Sequence, residues 1–461
     1  MPKTPNCMKR TKYDSEDCRR FYLRRMLGSL VLGFSLSATS AHCEENSHDE
    51  AAVGTLVGAF EQQDEAPKAA VIAEKKSAVG KSTDAVGQTL KDSAAEKQAV
   101  FGSLLTESGL RWWTNRQARL DDKTGLRLSV DYNALIQAAS DSLADDYGSA
   151  GEFRATARWR VWGRENGNLG FIDFQIRNRH RYTDMPPSKL GGSIGSLWPT
   201  TRGFSDSGWE VTHAYFEQYL FNQRLAFRGG QTRIDNMFDV HALRSQRHFF
   251  LNSAFSDNPA VAFPSFGPAG AVLLRPIDAV EIMVGVADAD SRQLGEAVGS
   301  DLQRDNLFAA VELSVRPKLL EQGDSLLKAM YWHTDPSSGG QTPAGDGVSL
   351  LAQHQLLNRS TGFLRYSYSS SAATIVSHMI STGIGLHPWI EKRSDYAGVA
   401  FAWGRPTRTG LRDQYVLEAF YRLQITPELE LTPDIQLIIH PSLNSQQDVI
   451  GVFGARARLN F

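Results

Sequence analysis

Apolar and polar residues alternate with a period of two near the C-terminal end of the chain. That period is typical of a β-strand, whose successive side chains point to opposite faces. One face carries Val449, Gly451, Phe453, Ala455, Ala457, Leu459 and Phe461. The opposite face carries Val452, Gly454, Arg456, Arg458 and Asn460. In a soluble protein the apolar face of such a strand would pack on the core and its arginines would meet water. In a membrane barrel the apolar face would meet lipid and the arginines would face a water-filled lumen.

The same alternation recurs along the chain from Trp112 onward, where strands and turns are predicted. It covers residues 126–137, 153–164, 172–181, 417–425 and 429–440. These segments are about 10 to 13 residues long, beyond the roughly 5 or 6 of a usual strand. They match the roughly 9 to 11 residues with which a tilted strand crosses a membrane. Because the outer faces of soluble sandwiches rarely carry arginine ladders beside such long strands, the pattern predicts an all-β fold, a transmembrane antiparallel β-barrel.

The connections between the predicted strands alternate in length. The segment 426–428 is tight, whereas 440–447 and 405–413 are longer, as expected for short periplasmic turns and long external loops. The last strand then descends to the periplasm, where Phe461 joins an aromatic girdle and fits a signal read by the barrel assembly machinery. Residues 109–461 provide roughly 16 strands, a number that leaves an aqueous channel.

The N-terminal part of the chain differs from the predicted barrel. Residues 1–41 have the positive stretch, short apolar run and small residues of a secretory signal peptide, with cleavage expected after Ala41. Residues 42–108 lack Trp and Tyr and are rich in small and charged residues, which predicts a disordered or partly helical, low-complexity periplasmic extension. A weak heptad through Val79 and Val86 leaves a short oligomerising or wall-binding helix as the alternative.

Composition narrows the function classes. The chain has 461 residues and a formal net charge of -2, which gives no indication of a nucleic-acid partner. A mean hydropathy of -0.32 excludes a bundle of membrane helices. The three cysteines, Cys7, Cys18 and Cys43, lie in or beside the predicted signal peptide, so the barrel has no disulfide framework. The sequence shows no nucleophile motif, metal-ligand cluster or dinucleotide fingerprint, so we predict no enzyme activity, no cofactor and no metal.

The polar faces of the predicted strands supply the candidate binding residues. Arginine offers five donors in a fixed fork, carboxylates accept, and a flat aromatic ring can stack on an apolar face of a solute. Trp162 lies at an alternate position shared with polar residues, so its side chain is predicted to face the lumen, where its ring could stack on a solute. The candidate substrate-binding residues of the lumen are Arg154, Arg158, Arg160, Asp173, Arg177, Arg179, Glu418, Arg422, Asp434, Arg456, Arg458 and Trp332.

Four of these arginines are predicted to form one basic patch. Arg158 and Arg160 precede the turn-like segment GRENGNLG, and Arg177 and Arg179 follow it, which favours adjacent antiparallel strands. Like charges at such spacing repel, so acids such as Asp173 are expected to face them. Inward arginines can also act on solutes only through their charge, and that interpretation stays open.

Several segments together resemble the carbohydrate-selective porins of the OprB family. The segment GLRWWTNRQARLDDKTGLRLSVDYN is similar to the opening strand of the family, and AYFEQYLFNQRLAFRGGQTRIDNMFD to one of its hairpins. The segment FFLNSAFSDNP resembles the family's Phe-Leu-Asn-Ser-x-Phe stretch. YRLQITPELELTPDIQLIIHP and VFGARARLNF resemble the last three strands. The resemblance covers Gly109 to Phe461, essentially the whole predicted barrel.

This resemblance implies a channel of about 16 strands in the bacterial outer membrane that passes mono- and small oligosaccharides by passive diffusion. The implied partners are outer-membrane lipid and small sugars, and a homo-oligomer stays open. The alternative function is a general or anion-preferring porin for small hydrophilic solutes, because the first strands are rich in arginine. A wall-tethering role for the extension is a further hypothesis.

Overall fold

The computed structural model describes residues 85–95, 97–104, 107–163, 168–290, 306–318, 324–337, 342–356, 360–387 and 394–461. The predicted signal peptide, residues 1–41, lies outside the described residues.

Sixteen strands run through the described part of the chain and form one closed antiparallel barrel. Each strand pairs with its neighbours in sequence, and the first pairs with the last to close the sheet. The predicted β-barrel and its strand number are therefore confirmed. The strands are β1 (Leu126–Ala139), β2 (Tyr147–Trp162), β3 (Gly170–Arg181), β4 (Gly208–Leu220), β5 (Leu225–Thr232), β6 (Gly267–Ile277), β7 (Val280–Asp288), β8 (Leu307–Val315), β9 (Ser325–Thr334), β10 (Gly345–Leu356), β11 (Ser360–Ser369), β12 (Val376–Leu386), β13 (Tyr396–Pro406), β14 (Gln414–Gln424), β15 (Leu429–Ile439) and β16 (Val449–Asn460).

Side chains alternate between the two faces of the barrel as the sequence predicts. On β16 the apolar Phe453 is 55% exposed on the outer face, whereas Arg456 and Arg458 are buried inside. On β15 the same contrast separates Leu431 from Glu430. An apolar outer band around a polar interior is the arrangement of a barrel that crosses a membrane. Among the described residues, no helix has the length and apolar character needed to cross a bilayer.

The two ends of the barrel carry connections of different length. At the end where β1 begins and β16 ends, the turns 278–279 and 425–428 are tight. At the other end, the connections 182–207 and 233–266 are long. Tight turns mark the periplasmic end of such barrels and long loops the extracellular end. The tight turn predicted near residue 427 therefore lies at the periplasmic end.

Four α-helices accompany the strands in the described residues: α1 (Val86–Ala94), α2 (Glu107–Thr124), α3 (Pro187–Ser193) and α4 (Ser253–Ser256). The second differs from the sequence analysis, which expected strands from Trp112. Its residues favour a helix and include no proline. Gly125 ends it at a φ of 74°, and the Gly125 N–H donates to the carbonyl oxygen of Asp121 at 2.7 Å. The chain then turns directly into β1.

Candidate functional site: the lumen of the barrel

The basic patch predicted on two strands is present, and acidic side chains face it. Strands β2 and β3 are antiparallel neighbours whose register places Arg158 opposite Asp173 and Arg154 opposite Arg177. Arg158 donates to Glu217 of β4 at 3.1 Å and lies 3.7 Å from Asp173. The adjacency of the strands and the expected acid beside Arg158 are therefore both observed.

The other arginines of the patch are paired as well. Arg177 donates to Glu210 of β4 at 2.6 Å, and Arg179 donates to Glu152 at 2.5 Å. Glu152 also accepts from Arg247, which belongs to the connection 233–266, at 2.6 Å. The wall is therefore a ladder of alternating charges and not a field of one sign.

The two ends of this ladder meet other elements. Arg154 donates to Asp131 of β1 at 2.9 Å and is almost fully buried. Arg160, nearer the periplasmic end, lies 3.4 Å from Asp121 of α2. The predicted lumen residues of β2 and β3 thus lie on one continuous polar wall.

Sequence reasoning missed most of the acids of the ladder. Glu217 joins Arg158 to Arg228 of β5, which it meets at 2.5 Å. The alternation in the segment RLAFR was a signal that Arg228 faces inward. Glu210 gave no such signal, because the register of β3 and β4 shifts beside Ile176 and changes the parity of β4.

Two long extracellular connections fold into the barrel and narrow the lumen. We call residues 182–207 the first inner loop and residues 233–266 the second inner loop. In the first, the Leu197 N–H donates to Gln414 of β14 at 2.8 Å. In the second, the Asp239 N–H donates to Glu312 of β8 at 2.7 Å. The loops therefore reach distant parts of the wall.

Three of the predicted lumen residues hold the second inner loop. Glu418 accepts from the backbone N–H groups of Leu251 at 2.5 Å and Asn252 at 2.9 Å. Arg456 donates to two backbone carbonyl oxygens of the loop at 2.5 and 3.0 Å. Arg422 donates to a further loop carbonyl at 3.3 Å. These side chains therefore hold the second inner loop in the position in which it narrows the lumen.

Two further predicted residues lie on the inner wall of β15 and β16. Arg458 donates to Asp92 of α1 at 2.8 Å and to Glu430 at 3.3 Å. Asp434 accepts from Gln436 at 3.2 Å. The helix partner of Arg458 could not be anticipated from the alternation of the strand.

The two candidate tryptophans lie on opposite sides of the wall. Trp332 faces inward but is fully buried, stacked on Phe308 at a ring-centroid distance of 6.2 Å. Trp162 is 50% exposed and contacts the outward ring of Phe216 at 5.2 Å. The lumen position expected for Trp162 is wrong, because a register shift after Arg160 turns its side chain outward.

A cavity of about 440 Å³ lies at the extracellular side of the inner loops. Arg202, Asp257 and Asn258 contribute polar groups to its lining, and Phe263 contributes an apolar face. Its volume falls within the range of about 300 to 1,000 Å³ that is usual for small-molecule sites. The cavity therefore has both the size and the mixed lining that a small polar solute requires.

Asp257 and Arg202 in this cavity each stabilise the charged form of the other. Asp257 pairs with Arg202, and it lies 3.4 Å from Arg244 and 3.8 Å from Arg233. Burial would raise the pKa of Asp257, but the three arginines outweigh it and hold that pKa below its usual range. Asp257 in turn raises the pKa of Arg202. Arg202 is therefore charged at all ordinary pH values, and its side chain is 46% exposed.

In the part of the chain that the structure describes, no group of three or more His, Cys, Asp or Glu side chains is arranged to hold a metal ion.

Comparisons with known proteins agree with the geometry. A family model described as carbohydrate-selective porin, OprB family, matches residues 160–461. Porin AaxA of Chlamydia pneumoniae is 21% identical over 369 residues, which cover 75% of this chain and 82% of that protein. Porin AaxA of Chlamydia felis is 22% identical over 367 residues, covering 74% and 79%. The high-pH structure of Pseudomonas putida OprB has a TM-score of 0.61 at 15% identity, covers 76% of this chain and 97% of that one, and supports the fold.

Proposed function

We propose that this chain, which belongs to the carbohydrate-selective porin family OprB, passes mono- and small oligosaccharides by passive diffusion. Family membership and the closed barrel make it an outer-membrane porin, a channel rather than an enzyme. The preference for sugars is the finer part of the proposal. Recognition of the last strand by the assembly machinery and formation of a homo-oligomer stay predictions.

The pairing of opposite charges along the lumen wall carries this proposal. Arg158, Arg177 and Arg179 each have a carboxylate partner within 3.1 Å. The wall therefore has little net field, and its paired side chains, which are at most 10% exposed, offer donors and acceptors only at their exposed edges. A neutral polyhydroxyl solute can exchange its water for these groups, whereas an anion gains little from arginines that are already neutralised. Each contact is weak, which suits a solute that must also leave.

The extracellular cavity supports the same interpretation. Arg202 keeps a side chain that is 46% exposed beside Asp257, and Phe263 lines the cavity with an apolar ring. A pyranose has matching faces, because its hydroxyls lie around the ring edge and its C–H groups lie on the ring face. We propose that a sugar first binds in this cavity. The remaining predicted lumen residues stay candidates for transient contacts on its way through.

Planar-bilayer recording tests the proposal. The purified porin is reconstituted in salt, reversal potentials give its ion preference, and glucose and longer sugars are added while the current is followed. We expect weak ion preference and a saturable, partial block of current by sugar. Strong anion preference with no sugar block would instead establish the anion-preferring porin.

A matched pair of variants locates the sugar contact. Arg202→Gln removes a charged donor from the cavity and should weaken sugar block about 3- to 10-fold, the loss of one solvent-exposed hydrogen bond of about 1 kcal/mol. Arg405→Gln removes a comparably exposed charge, since its side chain is 56% exposed beside Asp413, away from the cavity. An equal effect of both variants would mean that the contact is not in the cavity.

A further inference from the structure

A segment that precedes the barrel in sequence lies inside it. Helix α1 contacts the inner wall formed by β1, β2 and β3. Val86 and Leu90 are buried beside Tyr215 of β4. The position of Gly87 is so close to the Arg158 guanidinium that a side chain there would overlap it. The helix therefore covers the periplasmic part of the charged ladder.

The chain leaves the lumen along the periplasmic rim. The N–H groups of Val100 and Phe101 donate to the carbonyl oxygens of Gln424 at 3.0 Å and Ile425 at 2.8 Å. Glu428 accepts from the Ser103 hydroxyl and, at 3.0 Å, from the backbone N–H of residue 104. We call residues 85–104 the inner segment; its described parts are 85–95 and 97–104.

Ion pairs hold the inner segment to the wall. Asp92 accepts from Arg458 at 2.8 Å, and Lys97 donates to Glu430 at 3.0 Å. The Ser93 hydroxyl donates to Asn460 at 2.9 Å. These partners lie at the periplasmic ends of β15 and β16, which places the contact in the exit half of the pore.

The balance of these contacts favours reversible binding. The apolar cluster of the segment has three members, two from α1 and one from the wall. The other contacts described for the segment are ion pairs and hydrogen bonds, and each of them is exchanged for hydrogen bonds with water when the segment leaves, so their net stabilisation is modest. The wall groups that the segment covers, such as Arg158 and Glu430, also have partners within the wall. They would stay paired if the segment left.

We propose that the inner segment is a releasable plug of the periplasmic half of the pore. When bound, it narrows the exit and covers the periplasmic part of the charged ladder. When released toward the periplasm, it opens the periplasmic half of the lumen, while the inner loops stay in place. This inference needs only the channel, and it holds or fails independently of the sugar preference.

Conductance is the direct measure of the plug. A helix with its side chains is about 10 Å wide and obstructs a large share of a pore of this class, so its release should raise single-channel conductance about twofold. The unmodified porin should therefore switch between a lower and a higher conductance level.

A reversible crosslink tests both parts of the proposal in the full chain. Ser93→Cys and Asn460→Cys are combined, with Cys7→Ser, Cys18→Ser and Cys43→Ser, and bridged by a short bis-methanethiosulfonate reagent that dithiothreitol removes. We expect the bridged channel to stay at the lower level and the reduced channel to regain the higher one. The same conductance in both states would overturn the plug. Failure of the two thiols to be bridged, seen by mass spectrometry, would overturn the bound position itself.

Two glycines of the segment give a matched pair without cysteine chemistry. Gly87→Leu introduces a side chain against Arg158, whereas Gly102→Leu introduces one where no atom lies within 4 Å. Gly87→Leu should increase the time spent at the higher conductance level, and Gly102→Leu should behave as the unmodified porin. If Gly87→Leu leaves the conductance levels and their occupancy unchanged, the segment does not obstruct the pore.

Discussion

The second inner loop and the inner segment both lie in the lumen, but they are held by different forces. The loop contributes Phe250 and Phe255 to a large buried cluster that includes Phe420 of the wall. The inner segment contributes only Val86 and Leu90 to a cluster of three. Burial of apolar area is the larger stabilising contribution in most packed structures. The loop is therefore a fixed constriction, and the segment is the part that can move.

The polar contacts of the two regions differ in the same direction. Arg365 of β11 is buried under the loop and donates to Asp239 at 2.9 Å and to the Asp257 carbonyl oxygen at 2.5 Å. In the inner segment, Asp92 is partly exposed and its arginine has a second acid on the wall. Removing a partner in the loop leaves a buried charge unpaired, whereas removing one in the segment does not. The contrast predicts large effects in the loop and small ones in the segment.

The largest expected effect follows from Arg365→Ala. The change leaves Asp239 buried without its cation, which costs about 3 to 5 kcal/mol. The fraction of molecules with the loop detached should then rise at least about a hundredfold. Cleavage of the loop by added protease in detergent micelles measures that fraction when opening is fast.

A second buried arginine serves as the control for this variant. Arg275→Ala removes one of the two arginines that pair with Glu281, which Arg275 of β6 meets at 2.6 Å on β7. Arg275→Ala should lower barrel stability without increasing loop cleavage. Equal cleavage in both variants would mean that loop attachment reflects general barrel stability and not the Arg365 contacts.

A smaller effect is expected for Asp92→Asn in the inner segment. Asn keeps the shape but loses the charge, and Arg458 keeps Glu430 at 3.3 Å. The cost should be about 1 kcal/mol, which raises the ratio of released to bound segment about fivefold. Occupancy of the higher conductance level is the measurement. Asp278→Asn is the control, since that side chain is 80% exposed on a periplasmic turn. If Asp92→Asn raised the ratio of released to bound segment about a hundredfold, as expected for the loop in Arg365→Ala, the two regions would not differ in how strongly they are held.

The same contrast explains how much could be predicted from the sequence. Period-two alternation predicts the barrel, its approximate strand number and the inward positions of Arg158 and Glu418, because one wall separates lipid from water. It fails for Trp162, where a bulge of the backbone reverses the parity without a mark in the sequence. It also cannot reveal what covers an inward side chain. Arg456 holds a loop that is distant in sequence, and Arg458 meets a helix that precedes the barrel. Such partners depend on tertiary packing and not on local pattern.

Mild acid should loosen the loop but not the inner segment. Burial, together with Arg365 and Arg244, holds the pKa of His241 in the loop well below 6.5. The neutral ring donates to the Phe255 carbonyl oxygen at 3.0 Å. Since the bound loop favours the neutral ring, the stabilisation is fully present above pH 6.5. It is lost as the pH falls below that value, by at most about 1.4 kcal/mol per pH unit.

Asp92 in the inner segment is an acid and not a base, and it changes charge at a lower pH than a histidine ordinarily does. Burial would raise its pKa, but Arg458 and Lys97 outweigh it and keep the pKa of Asp92 below 3.8. Its stabilisation is therefore present above pH 3.8 and lost only in stronger acid. Spin labels at Ala262→Cys in the loop and Gly102→Cys in the segment, each with Cys7→Ser, Cys18→Ser and Cys43→Ser, report mobility between pH 7.5 and 4.5. The loop label should become more mobile first, and His241→Phe should reduce that response. Equal loosening of both labels above pH 4.5 would show that one shared transition, and not two separate attachments, governs the lumen.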